Sequence, residues 1–146
     1  MEKINKKILI VEDDKDFLSI LKIKFESEGF FVVTAEDGEA AIRAAKEEKP
    51  DLILADVLMP KMDGIEMAKK IKEANKDISI VFLTNIKDTD YTSKIEKSGE
   101  FDYWVKSDLP IAEIVEKVKL KLGISNTEKK AEVPAIEIPP APRKKE

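Results

Sequence analysis

The chain has 146 residues, 42% of them hydrophobic, which suits one domain with a single core plus a tail, and a second folded domain would not fit comfortably within it. Residues 123–146 carry five basic and four acidic side chains, so the formal charge of −4 leaves −5 on residues 1–122, and an acidic body without a basic stripe argues against direct nucleic-acid binding. Cysteine and histidine are absent, which excludes disulfides, thiolate or imidazole metal sites, and any His base or Cys nucleophile, so a metal must be held by oxygen ligands.

The N-terminus leads into an apolar run of only four residues, Ile8 to Val11. That is too short for a signal peptide or a membrane span, and a cytoplasmic protein without membrane contact is expected. Glu12, Asp13 and Asp14 close the run, which reads as a buried strand followed by an acidic loop. From Asp16 onward Phe17, Leu21 and Phe25 recur at helical spacing, with Leu18 and Ile20 beside them, until Gly29 stops the helix. Residues 30–34 form a second β-rich run, and Asp37-Gly38 opens an alanine-rich helix that ends before Pro50.

Residues 51–64 read D-L-I-L-A-D-V-L-M-P-K-M-D-G. A short apolar run ended by turn residues is the pattern of a fully buried strand in a parallel sheet, with Asp56 at its carboxyl end. Ile65, Met67, Ala68 and Ile71 mark a third amphipathic helix reaching Asn75, and residues 78–84 a fourth strand. Residues 88–98 have the weakest helical pattern, because Thr89, Thr92 and Ser93 have poor propensity and only Tyr91 and Ile95 are apolar; a mobile helix is expected there. Residues 101–105 form a fifth strand. Ser107-Asp108 before Pro110 starts a last helix, whose stripe is Ile111, Ile114, Val115, Val118 and Leu122.

Five strands alternating with five helices predict an α/β fold, a doubly wound parallel sheet with helices on both faces, over residues 1–123. Residues 124–146 hold four of the seven prolines among Lys, Glu and Ala, the composition of a disordered or extended tail. The alternation of Val133, Ile136 and Ile138 also suits a docked extended strip.

In such a sheet, residues just past neighbouring strand ends converge on one crevice. Here they are Glu12 and Asp13, Asp56, Thr84 and Lys106. Carboxylates packed that closely either protonate or hold a cation. Mg²⁺ takes one or two carboxylates, keeps several waters and shares phosphate oxygens. Lys106 adds a positive charge and Thr84 a hydroxyl donor, so the set suits an incoming phosphoryl group attacked in line by an Asp56 oxygen, giving an aspartyl phosphate.

The pieces V-E-D-D, D-V-L-M-P-K-M-D-G, L-T and Y-W-V-K, in that order, make residues 7–122 resemble the receiver domain of bacterial two-component response regulators, in its chemotaxis-type single-domain form. The resemblance implies the flavodoxin-like strand order 2-1-3-4-5. It implies Asp56 as phosphoacceptor, supplied by a sensor histidine kinase, a phosphotransfer protein or a small acyl phosphate. Glu12, Asp13, Asp56 and the backbone carbonyl of Leu58 would hold Mg²⁺. Thr84 and Lys106 would engage the phosphoryl oxygens, Thr84 and Tyr103 would act as the switch, and Asp14 would serve as a cap or surface carboxylate. Output would be protein docking through the 88–98 helix, the fifth strand and the last helix, with no output domain of the chain's own and no nucleic acid. The protein would be a monomer or a phosphorylation-dependent dimer, and no enzyme beyond accepting its own phosphoryl group and slowly losing it.

Two positions depart from the family pattern. Ser107 follows Lys106 where a cis proline is usual, and a trans Lys106–Ser107 bond is expected because a non-proline cis bond costs roughly 2.5–4 kcal/mol. Asn85 follows Thr84 where a small residue is usual. Both favour, as an alternative, a pseudo-receiver that binds partners without phosphorylation. A hydrolase forming an aspartyl phosphate wants a second Asp two residues after the nucleophile, and position 58 is Leu.

Overall fold

Continuous apolar runs build the sheet: β1 Lys7–Val11, β2 Phe31–Ala35, β3 Leu52–Asp56, β4 Ser79–Thr84 and β5 Asp102–Val105. The structure, a computed structural model, describes residues 4–56, 63–84, 93, 95, 97, 101–106 and 109–124, without the side chain of Thr84. All strand pairs are parallel and run in the order β2-β1-β3-β4-β5, which is the order expected. Successive strand residues point to opposite faces. Leu9, Val11, Ile53, Ala55, Ile80 and Phe82 are buried, and so are Ile8, Ile10, Leu52, Leu54, Val81 and Leu83, so the inner strands are covered on both sides. This explains why they carry no polar alternation.

The first set shares one core cluster with Ala41, Ile65, Met67, Ala68 and Ile71, which come from helices α2 (Gly38–Glu48) and α3 (Gly64–Ala74). Helix α1 (Lys15–Ser27) buries Leu18, Leu21 and Phe25 outside that cluster, against the opposite face. Phe30 is not the first residue of β2, as its composition suggested, but the end of the helix stop. Gly29 takes φ 103, its N–H donates to Glu26 O at 3.0 Å, and the Phe30 N–H donates to Phe25 O at 3.1 Å. The rings of Phe25 and Phe30 then meet edge to face at 5.3 Å, the apolar contact that accompanies a glycine stop.

Each of these three helices opens on an aspartate whose side chain accepts backbone N–H groups: Asp14, Asp37 and Asp63. Of residues 88–98 only Ser93, Ile95 and Lys97 are described; all three are helical, and Ile95 is fully buried in the same cluster as Phe82 and Phe101. The expected mobility of that segment lies outside the described residues.

The chain divides into two units, Met1–Val115 and Glu116–Glu146. The C-terminal helix Ile111–Lys121 buries Ile114 and Val115 within the first unit. In the second, the helix ends on Gly123 at φ 73, with Gly123 N–H donating to Leu120 O and Ile124 N–H to Lys119 O. The expected conformation of the tail lies outside the described residues. Among those described, no helix is long and apolar enough to cross a membrane.

Helix α2 ends without a glycine: Lys49 itself adopts the left-handed conformation, φ 50, before Pro50. A Cβ there is strained, and glycine is the residue that relieves it. Lys49→Gly is expected to raise stability by about 1 kcal/mol in urea unfolding; a loss of stability would show that the Lys49 side chain outweighs its backbone strain.

Candidate functional site

Alternation decides which side chains meet at the carboxyl edge of the sheet. Residues two apart share a face, so Glu12 continues the line of Ile8 and Ile10, Asp56 that of Leu52 and Leu54, and Lys106 that of Asp102 and Trp104. The register pairs Asp56 with Leu83 and Leu83 with Trp104, which puts these lines on one face. Helix α1 starts on the same side.

Glu12 is only 2% exposed. Its N–H donates to Ala35 O at 3.0 Å, extending the β1–β2 ladder by one bond. One of its carboxylate oxygens, Oε1, accepts from Lys106 Nζ at 2.7 Å, and the other, Oε2, from the Asp14 N–H at 3.2 Å. Lys106 Nζ also lies 3.6 Å from Asp56 Oδ2 and 4.5 Å from the centroid of the Phe17 ring. Asp13 is exposed, yet one oxygen from each of Glu12, Asp13 and Asp56 falls within 4.8 Å of the others.

Burial pushes the Glu12 carboxyl above its ordinary range. The hydrogen bond and charge of Lys106 and the Asp14 N–H oppose that rise, while the charge of Asp56 adds to it. The close packing of carboxylates is therefore met partly from within the chain: Lys106 is their counter-ion. Three carboxylates against one ammonium leave two negative charges when all are ionised, from hard oxygen donors only. A small divalent cation of the Mg²⁺ kind fits that donor set.

Helix α1 is capped by Asp14, whose Oδ1 accepts from the N–H groups of Asp16 and Phe17 at 3.1 and 3.2 Å. Capping thus falls to Asp14 and not to Glu12 or Asp13. Thr84 ends β4 opposite Val105 in the register. Tyr103 is half-buried against the α2–α3 core cluster, so Trp104 faces the other way. Leu58, Asn85 and Ser107, and with Ser107 the bond expected to be trans, lie outside the described residues. Phe17 was expected only as part of the helical stripe of α1. Its position three residues after the Asp14 cap was the one signal that it faces the acidic crevice.

The profile of the response regulator receiver domain matches residues 8–119, and the chain belongs to that family. It is a two-component receiver domain, a phosphorylation-based signalling unit and not a conventional enzyme. It is 40% identical over 104 residues to the alkaline phosphatase synthesis transcriptional regulatory protein PhoP of Bacillus subtilis, covering 70% of this chain and 43% of that protein. It is 35% identical over 137 residues to the DNA-binding response regulator MtrA of Mycolicibacterium smegmatis, covering 93% and 58%. Among solved structures it resembles the response regulator TrrA of Thermotoga maritima in complex with Mg²⁺ and beryllium fluoride, at TM-score 0.71 and 36% identity over 80% of this chain and 98% of that one.

The chain spans about half the length of the curated relatives it matches. These relatives are named as transcriptional or DNA-binding regulators, which overturns the expectation that nucleic acid is no partner. The charge of a receiver domain reports on the residues counted and not on a protein about twice as long, so the inference from an acidic body fails.

The folded protein holds a proton on Glu12 more tightly than the unfolded chain does, so stability falls as pH rises from the ordinary value of 4.5 through the raised one. In buffer without divalent cations, wild type is expected to lose stability relative to Glu12→Gln across that interval and to run parallel to it at higher pH. Urea midpoints at successive pH values check this, and a relative gain with rising pH would contradict it.

Proposed function

We propose that Asp56 accepts a phosphoryl group from the phosphohistidine of a sensor kinase, or from a small acyl phosphate. The observation that carries this reading is one ammonium, Lys106, set 3.6 Å from Asp56 Oδ2 at the end of a buried strand, beside two further carboxylates. An ionised Asp56 oxygen attacks phosphorus in line with the leaving atom. The new P–O bond forms as the P–N bond to imidazole, or the P–O bond to the acyl group, breaks, and the leaving group takes the electron pair.

Lys106 meets the negative phosphoryl oxygens as they arrive, and exchanges part of its interaction with Glu12 for them. Thr84, at the end of β4, supplies a hydroxyl to the same oxygens. Glu12, Asp13 and Asp56, with the Leu58 carbonyl, would hold Mg²⁺, which when bound supplies neutralising positive charge to the transferring group. The TrrA structure with Mg²⁺ and beryllium fluoride supports this ligand class. Tyr103, half-buried in β5, reports the state of Thr84 to the surface around β5, where a downstream protein segment docks. The receiver unit is taken as residues 1–123, acting in the cytoplasm. The relatives named as transcriptional regulators support an output in the control of transcription.

Acetyl phosphate with Mg²⁺ is expected to place one phosphoryl group on wild type, seen by intact-protein mass and lost on mild alkaline hydrolysis. Asp56→Asn should acquire none, and Lys106→Ala should be slower by about 10²-fold. Wild type that stays unlabelled with acetyl phosphate and with kinase donors would favour the phosphorylation-independent interaction module instead.

A further inference from the structure

Lys106 is held from three directions. Glu12 and Asp56 stand 2.7 and 3.6 Å from Nζ, and the ring of Phe17 lies beneath it at 4.5 Å. A ring at that distance attracts an ammonium through its quadrupole, more strongly where water is excluded, and the Lys106 side chain is only 12% exposed. Two carboxylates alone leave the ammonium room to slide between them, because its charge is compact and its four-carbon stem flexible. The ring closes a third side. The backbone that carries Phe17 is anchored, since its N–H donates to the Asp14 cap at 3.2 Å in the first turn of α1. The acidic loop therefore supplies Glu12 and Asp13 to the crevice and, through Asp14, anchors the helical turn that carries the ring facing Lys106.

We propose that Phe17 is a positioning residue for phosphoryl transfer, its ring holding the Lys106 ammonium where it meets the phosphoryl oxygens on Asp56. The proposal rests on Asp56 being the acceptor. Residue 107 is serine, so no proline ring stiffens the chain just after the lysine. The hold from across the sheet, by α1, takes on that task. An ammonium already beside the acceptor oxygen has only a short distance to travel, and its interaction is largely pre-organised before the group arrives.

Wild type, Phe17→Leu and Phe17→Tyr are compared as full chains. Leucine keeps an apolar side chain without a π face; tyrosine keeps the face. Three readouts are taken: the rate of Asp56 labelling by acetyl phosphate, the beryllofluoride concentration that half-changes Trp104 fluorescence in Mg²⁺, and the ring-current shift of the Lys106 Cε protons without Mg²⁺. Phe17→Leu should lose the ring-current shift, and its labelling rate and beryllofluoride affinity should fall by about three- to tenfold. Phe17→Tyr should stay within about twofold of wild type in all three. Phe17→Met serves as the second ring-free variant should leucine lower the urea midpoint. Phe17→Leu labelling as fast as wild type, or Phe17→Tyr as slow as Phe17→Leu, overturns the proposal and leaves the acceptor reading intact. Wild type that gains no phosphoryl group on Asp56 overturns the acceptor reading, and the proposal with it.

Discussion

Three carboxylates within 4.8 Å of one another at the edge of a sheet repel, and the architecture around them follows from how that repulsion is met. One answer lies within the chain. Lys106, 94 residues from Glu12 in sequence, comes to 2.7 Å of it because β1, β3, β4 and β5 stand side by side in parallel. The order of the strands, their common direction and their register are all needed before those two charges can touch. A slip of one residue in β5 would turn Lys106 to the other face, where the α2–α3 core cluster lies.

Past their first residues the inner strands are apolar on both sides, and polarity returns where each ends at the carboxyl edge. That boundary gives Glu12 its double character: its backbone continues the sheet, while its side chain is buried enough to raise its affinity for a proton. The next two residues divide the remaining work. Asp13 stays exposed beside Asp56, and Asp14 turns to cap α1. Three consecutive acidic residues thus do three different things, set by the geometry of a strand passing into a helix. The site that results keeps a surplus of negative charge with only oxygen donors, suited to a hard divalent cation and to the phosphoryl chemistry proposed.

The strands and most helices were legible in the sequence because buried parallel strands have no polar face and helices have a period of their own. Asp56 was legible for the same reason, as the first carboxylate after an apolar run. The division among Glu12, Asp13 and Asp14 was legible only through the family resemblance, which pointed to Asp14 as a cap or surface carboxylate; composition alone cannot tell a capping aspartate from a neighbour one residue away. Gly64 read as a turn residue closing the strand's run, whereas it is the first residue of the helix that Asp63 caps. Phe17 looked like one more member of an apolar stripe; only the register of β5 against β4 and β3 shows which charge lies above its ring. The partner reading failed differently. Net charge was taken to speak for a whole protein, and relatives named as DNA-binding regulators are about twice as long as this chain.

The central claim is that Lys106 is the internal counter-ion of the carboxylate group, and Lys106→Met tests it most directly. Urea unfolding of wild type and variant, each titrated with Mg²⁺, measures how much stability the cation adds to each. With the ammonium gone, the account predicts a variant less stable than wild type without divalent cations. It also predicts that Mg²⁺ binds the variant more tightly, by about tenfold, and restores its stability. A variant that binds Mg²⁺ no more tightly than wild type would contradict the account, because Lys106 would then not be balancing the charge of Glu12, Asp13 and Asp56.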